Sequence, residues 1–127
     1  MIPSLESLTT ATLAKALEAA SLRQHAIAAN VANTNTAGFA PLRVGFEAQL
    51  TEARNSLRER GTVEPRDLEA LRPLLEMDTD EAGGALPLQL DQQMADMARN
   101  AVHYQSMAQG LSRHFGLLAM AAAEGRK

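Results

Sequence analysis

A mainly α-helical chain is what this sequence predicts: two long terminal helices pairing as a coiled coil, with a charged and largely irregular segment between them. Three observations carry that expectation. Apolar residues recur at helical spacing through both ends of the chain. Aromatic residues make up only 3% of its 127 residues and tryptophan is absent, so alanine and leucine must supply the buried surface, which suits helices packed side by side. Charge is also unevenly placed. Arg43 to Glu81 holds 10 acidic and 6 basic residues, whereas the stretches 24–42 and 100–112 hold none. A free-standing helix displays charge on its outer face, so two uncharged stretches predict helices with neighbours on several sides.

The first helix is expected from Ser4 to Asn33, with Ser4 after Pro3 as its N-cap. Leu13, Leu17, Ala20, Ile27 and Val31 form one stripe, interrupted by Gln24. Leu5, Leu8, Ala19, Leu22, Ala26 and Ala29 form another on nearly the opposite side. A helix apolar on two sides needs two partners. The chain then divides into a helix with its exit motif over 1–38, a charged middle over 39–87 and a second helix over 88–127. In the middle, Phe39 to Phe46 reads as extended, and Phe46 to Leu50 as a short helical turn that can run further. Pro73 limits any helix over Pro65–Met77, and Asp78 to Pro87 reads as loop. In the second helix Leu90, Met94, Met97, Ala101, Tyr104, Ala108, Leu111, Phe115, Leu118 and Ala122 follow alternating steps of four and three. That period, sustained over more than four heptads, is a coiled-coil seam. A simple helical hairpin with a wide apolar face would show the same pattern.

Several classes of function are disfavoured. The formal charge of −3 lacks the basic stripe of a nucleic-acid binder. Without cysteine there is neither a disulfide framework nor a thiolate metal site. His103 and His114 stand about 16 Å apart along one helix and His25 lies on another, which does not suit chelation. Asp78–Gly83 resembles the start of a calcium loop, but Ala82 and Gln89 stand where ligands are needed. No phosphate-binding glycine loop, nucleophile elbow or triad is visible. The expectation is a non-enzymatic protein with no cofactor, metal or small-molecule substrate. No window has the roughly 20 apolar residues of a membrane span, and the N-terminus lacks the basic region of a cleaved secretory signal.

The most informative segment ends the first helix. Asn30, Asn33 and Asn35, with Thr34 and Thr36, offer amide and hydroxyl groups that compete with the helical backbone, and Gly38 permits the positive φ of a sharp exit. The run Asn30-Val-Ala32-Asn33-Thr-Asn35-Thr36-Ala-Gly38-Phe39 resembles the N-terminal signature of bacterial flagellar axial proteins, shared by rod, hook and hook-associated subunits. Leu90 to Gln105 is similar to the run that opens the C-terminal helix of the proximal rod proteins. There are departures: Ala37 stands where proline is usual, Phe39 where tyrosine is commoner, and Gln93 where a glutamate is usual.

The resemblance implies a structural subunit of the flagellar basal-body rod, in the periplasmic space, exported through the flagellar type III apparatus without a cleaved signal. Its partners would be further copies of itself, other rod proteins, and the export gate and rod-base adaptor. Another axial subunit of the flagellum, an intracellular helical adaptor and a small metal- or carboxylate-dependent enzyme are the competing readings. An adaptor has no need of the Asn30–Phe39 signature, and the enzyme lacks its constellation.

Overall fold

The computed structural model describes residues 5–45, 47–62 and 64–126, so the expected cap at Ser4 and the residue Phe46 lie outside the described residues. Six elements follow one another: α1 (Leu5–Ala32), β1 (Leu42–Gly45), α2 (Glu47–Arg60), α3 (Pro65–Glu69), β2 (Leu74–Met77) and α4 (Leu90–Glu124). The chain is mainly helical, with its two long terminal helices packed on each other and an irregular middle.

Neither glycine nor proline interrupts α1, and alanine fills much of it, so its 28 residues propagate without a break. α4 contains no proline and runs for 35 residues, about 50 Å at 1.5 Å per residue. The two helices run antiparallel. Asn30 near the end of α1 meets Gln93 near the start of α4, and Gln24 meets Asn100. Prolines aside, the buried apolar side chains among the described residues are Ala19, Ala20, Ala26 and Ile27 on α1 and Leu71 beyond α3. Alanines at the centre leave little side-chain bulk between the helices, so their backbones can approach closely.

The middle holds more regular structure than a short turn and loops. α2 runs for 14 residues because Glu, Ala, Gln, Leu and Arg are good helix formers, and it stops at Gly61, which takes φ +72°. Among the described residues it packs extensively on no other element. Its described ties are side-chain ones: Gln49 exchanges two hydrogen bonds with the backbone of Arg72, and Arg60 reaches Asp67 at 3.2 Å. α3 starts at Pro65, where the missing N–H costs nothing, and its Asp67 carboxylate accepts the Glu64 N–H at 2.9 Å. It lies against α1. After the buried Pro73, β2 pairs antiparallel with β1, in the register Leu42 to Met77, Arg43 to Glu76, Val44 to Leu75 and Gly45 to Leu74. Arg43 bonds its cross-strand neighbour Glu76 at 3.1 Å. The ribbon sits on α1, and beyond β2 the chain turns back at 80–84 between the bridged residues Thr79 and Ala85, where Asp80 Oδ1 accepts the N–H groups of Ala82 and Gly84. The carboxylate in the calcium-like run thus serves the loop's own backbone.

Candidate assembly interface

Asn30 organises the end of α1. Its side chain is 2% exposed and pairs with the backbone of Leu42 as a neighbouring strand would: Nδ2 donates to the Leu42 carbonyl at 2.9 Å, and Oδ1 accepts the Leu42 N–H at 2.7 Å. The same Nδ2 donates to Gln93 Oε1 at 3.1 Å. One amide therefore joins α1, β1 and α4. Only a side chain with both a donor and an acceptor can serve both groups of a strand residue.

The residues after it turn the chain out of the helix. Asn33 Nδ2 donates to the Ala29 carbonyl at 2.8 Å, and Thr34 Oγ1 donates to the carbonyls of Val31 (2.9 Å) and Asn30 (3.2 Å). Thr36 Oγ1 donates to Asn33 Oδ1 at 3.1 Å. The carbonyls of Ala29, Asn30 and Val31 also accept the backbone N–H groups of Asn33 or Thr34, so the side chains reinforce bonds the helix end already makes. Gly38 takes φ +76°, and a Cβ there would meet nothing within 4 Å, so its requirement is conformational and not spatial. Ala32, Asn35, Thr36 and Gly38 are exposed, and Phe39 is half-buried.

On α1 the stripe facing α4 has Ile27 buried and Leu13, Leu17 and Val31 half-buried. On α4 the seam residues fall into two columns. Met97, Leu111 and Leu118 are half-buried, with Leu90 and Tyr104 of the same column exposed. In the other column Ala108 is half-buried, while Met94, Ala101 and Phe115 are exposed. The covered residues beside the first column are instead Gln93, Asn100, Met107 and His114, one position earlier in each heptad. Relative to the midline of the two columns, the covered face is turned by about 50° at 100° per residue. The reason is polar: Asn100 donates to the Ala20 carbonyl and to Gln24 Oε1, both at 2.9 Å, and Gln93 accepts from Asn30. Apolar spacing alone missed Gln24, Gln93 and Asn100, although Asn100 opens one of the uncharged stretches and Gln24 the other.

Turning α4 this way leaves an apolar flank uncovered. Met94 and Phe115 are each 50% exposed, and Val102, Leu117 and Met120 more so. A groove of about 500 Å³ runs between α1, β1 and α4, floored by Ala26 and Ile27 and rimmed by Arg23, Arg43, Asp78 and Asp96. Its rim charges engage one another: Arg43 lies 3.6 Å from Asp78, and Asp96 is bonded by Arg99 at 3.3 Å. A perturbed carboxyl lies away from it. Asp67 is held below the ordinary 3.8, chiefly by the Glu64 N–H and, with burial opposing, further by the Arg60 and Arg66 guanidinium groups. Among the described residues no group of three or more His, Asp or Glu side chains is placed to hold a metal ion, and no helix is long and apolar enough to cross a membrane.

The fold and this face define a class: an antiparallel helix pair whose longer member keeps an apolar flank outside the chain's own core, a form suited to burying surface against neighbours. Residues 11–39, covering most of α1 and the whole exit motif, match the family of flagella basal body rod proteins. Over that segment the chain is similar to a family of structural components, and the match supports a structural role in the flagellar basal body rod, in assembly with other rod proteins. No curated protein shows significant similarity to the chain.

Proposed function

We propose that this protein is a subunit of the proximal rod of the bacterial flagellar basal body, of the FlgB kind. Copies of it, with neighbouring rod proteins, would build the hollow shaft that transmits torque from motor to hook and filament. The match over residues 11–39 carries this reading, and the open column Met94, Ala101 and Phe115 on α4 supplies a surface for the neighbours. In the assembly, α1 and α4 form an inner coiled-coil layer, and the charged ribbon and α2 lie outside it. A head-to-tail contact that does not close on itself generates a helical shaft. The seam residues of α1, with Met97, Leu111 and Leu118, hold the helix pair together, the open seam residues Met94, Ala101 and Phe115 meet the neighbours, and the Asn30–Phe39 motif sets the direction in which the chain leaves the inner layer. The subunit passes through the flagellar export apparatus without cleavage, and its partners at the rod base are the export gate and its adaptor.

Deleting the gene tests this. The expected result is a non-motile strain whose basal bodies, imaged after isolation, lack a rod and are restored by the wild-type gene. Intact rods and normal swimming halos in the deletion strain would end the proposal.

A further inference from the structure

We infer that the amide pairs Gln24·Asn100 and Asn30·Gln93 select the register in which α1 and α4 pair, a task the apolar residues between them cannot perform. The apolar pattern is degenerate. Leu90, Met97, Tyr104, Leu111 and Leu118 repeat every seven residues along α4. Counted along the two antiparallel helices from the Gln24·Asn100 pair, the residues level with Leu13, Ala20 and Ile27 are Leu111, Tyr104 and Met97. Sliding α4 by one heptad presents Leu118, Leu111 and Tyr104 instead, which are as apolar as the set they replace. Contacts of this kind do not choose between the two arrangements.

The amides do choose. Asn30 Nδ2 donates to Gln93 Oε1 at 3.1 Å and Asn100 Nδ2 donates to Gln24 Oε1 at 2.9 Å, so the two pairs bind the helices about one heptad apart. After a one-heptad slide in one direction Asn30 meets Asn100, but Gln24 lies against Met107. In the other direction Gln24 meets Gln93, but Asn30 stands opposite Leu86, before α4 begins. One pair survives either slide; both exist only in the observed register. An amide stranded among apolar groups shifts the equilibrium on the order of tenfold to a hundredfold against that arrangement.

Asn100 points to alignment as the role of these groups. It is 5% exposed, and its Oδ1 has no hydrogen-bond partner among the described residues. A leucine there would remove that unpaired acceptor but leave Gln24 Oε1 without its donor, so what the asparagine contributes is alignment with Gln24, as a buried asparagine fixes register in coiled coils. The register follows from the fold alone. Its consequence for a shaft rests on the proposed function, because a slid helix pair would displace one end surface by about 10 Å.

The chain contains no cysteine, so introduced pairs report the register without interference. Leu13→Cys with Leu111→Cys reports the observed register, and Leu13→Cys with Leu118→Cys the one-heptad slide. At about 10 Å of axial displacement each pair is closed to the other's register, since a disulfide needs Cα atoms within about 7 Å. The full-length chain is oxidised at high dilution and the intramolecular yields are compared. In the parent the first pair should dominate. Gln24→Leu removes a partner of Asn100 and favours the slide that pairs Asn100 with Asn30, so the ratio of the second yield to the first should rise by about tenfold or more.

Adding Asn100→Leu to Gln24→Leu should return the ratio to the parent's, because Asn30·Gln93 then decides alone. The exchange Gln24→Asn with Asn100→Gln should keep it there. A ratio unmoved by Gln24→Leu would overturn the inference. So would failure of Asn100→Leu to reverse the change, or a loss of helix in Gln24→Leu that lowers both yields together.

Discussion

α1 and α4 have similar compositions and opposite surroundings. α1 is covered by α4, by both strands of the ribbon and by α3, and prolines aside it carries four of the five buried apolar side chains among the described residues. α4 is longer, packs on α1 and little else, and its single buried residue is Asn100. The uncharged stretch of α1 runs into the interior, whereas residues 101–106 in the uncharged stretch of α4 are all exposed. The contrast teaches that missing charge marks surface kept for burial without saying by whom. In α1 the cover comes from the chain itself, and for α4 we assign it to neighbouring subunits.

The sharpest way to break this comparison is to place a carboxylate on each helix. Ile27→Asp puts a charge at a site 5% exposed, and its desolvation costs several kcal/mol. Circular dichroism should show loss of helix and of any cooperative thermal transition. Phe115→Asp, at a site 50% exposed, should leave the helix signal within about 0.5 kcal/mol of the parent yet abolish rod assembly and swimming. Equal unfolding by both would mean that α4 contributes as much to the core as α1.

A smaller effect is expected at Asn30. Asn30→Ala leaves the Leu42 N–H and carbonyl without their side-chain partners, a loss of about 1–3 kcal/mol. Hydrogen exchange at the Leu42 amide should accelerate well beyond that at Val44, and unchanged protection would remove Asn30 as the tie between α1 and the ribbon.

At Gly38 the expected cost is lower, about 1–2 kcal/mol for Gly38→Val. The φ of +76° penalises a β-branched residue, although there is open space for its Cβ. Ala37→Pro, with a φ suited to a turn, should be milder. Swimming halos at matched expression compare them, and a motile Gly38→Val beside an immotile Ala37→Pro would reverse the assignment of the exit to the glycine.

The smallest effect concerns α3, the short helix packed on α1. The Asp67 carboxyl sits below its ordinary 3.8 in the folded chain, so the ionised form is favoured by folding. Its contribution is fully present above the ordinary carboxylate range and is lost as pH falls through the lowered folded value. Asp67→Asn should therefore flatten the acid limb of stability against pH, measured by denaturant titration, while leaving α4 unaffected. An unchanged acid limb would show that Asp67 carries none of it.

Much of this molecule is legible in its sequence. Helical periodicity and the absence of proline inside α1 and α4 give both long helices, and the Asn-rich run ending in Gly38 gives the exit. The motif's role in joining elements is not legible, because Asn30 finds Leu42 twelve residues on and Gln93 on another helix, and no local pattern encodes such pairs. α2 was harder to read than α1. Its residues favour helix but show no apolar face to demand one, so propensity without packing had to settle its length. The two α4 columns were visible as apolar repeats, yet their shares of the interior depend on glutamine and asparagine partners that a hydropathy pattern counts as interruptions.

By itself the sequence determined what can be written in local terms: two long helices, a glycine-dependent exit, a polar middle, and a resemblance confined to short motifs. Spacing along one chain segment is enough for these, because backbone propensity and side-chain period act over a few residues. Only the tertiary structure decided which way α4 faces and which half of its apolar surface stays open. Rotation about a helix axis costs nothing in local conformation, so it is fixed by what meets across the interface. Here that is Asn30 against Gln93 and Gln24 against Asn100.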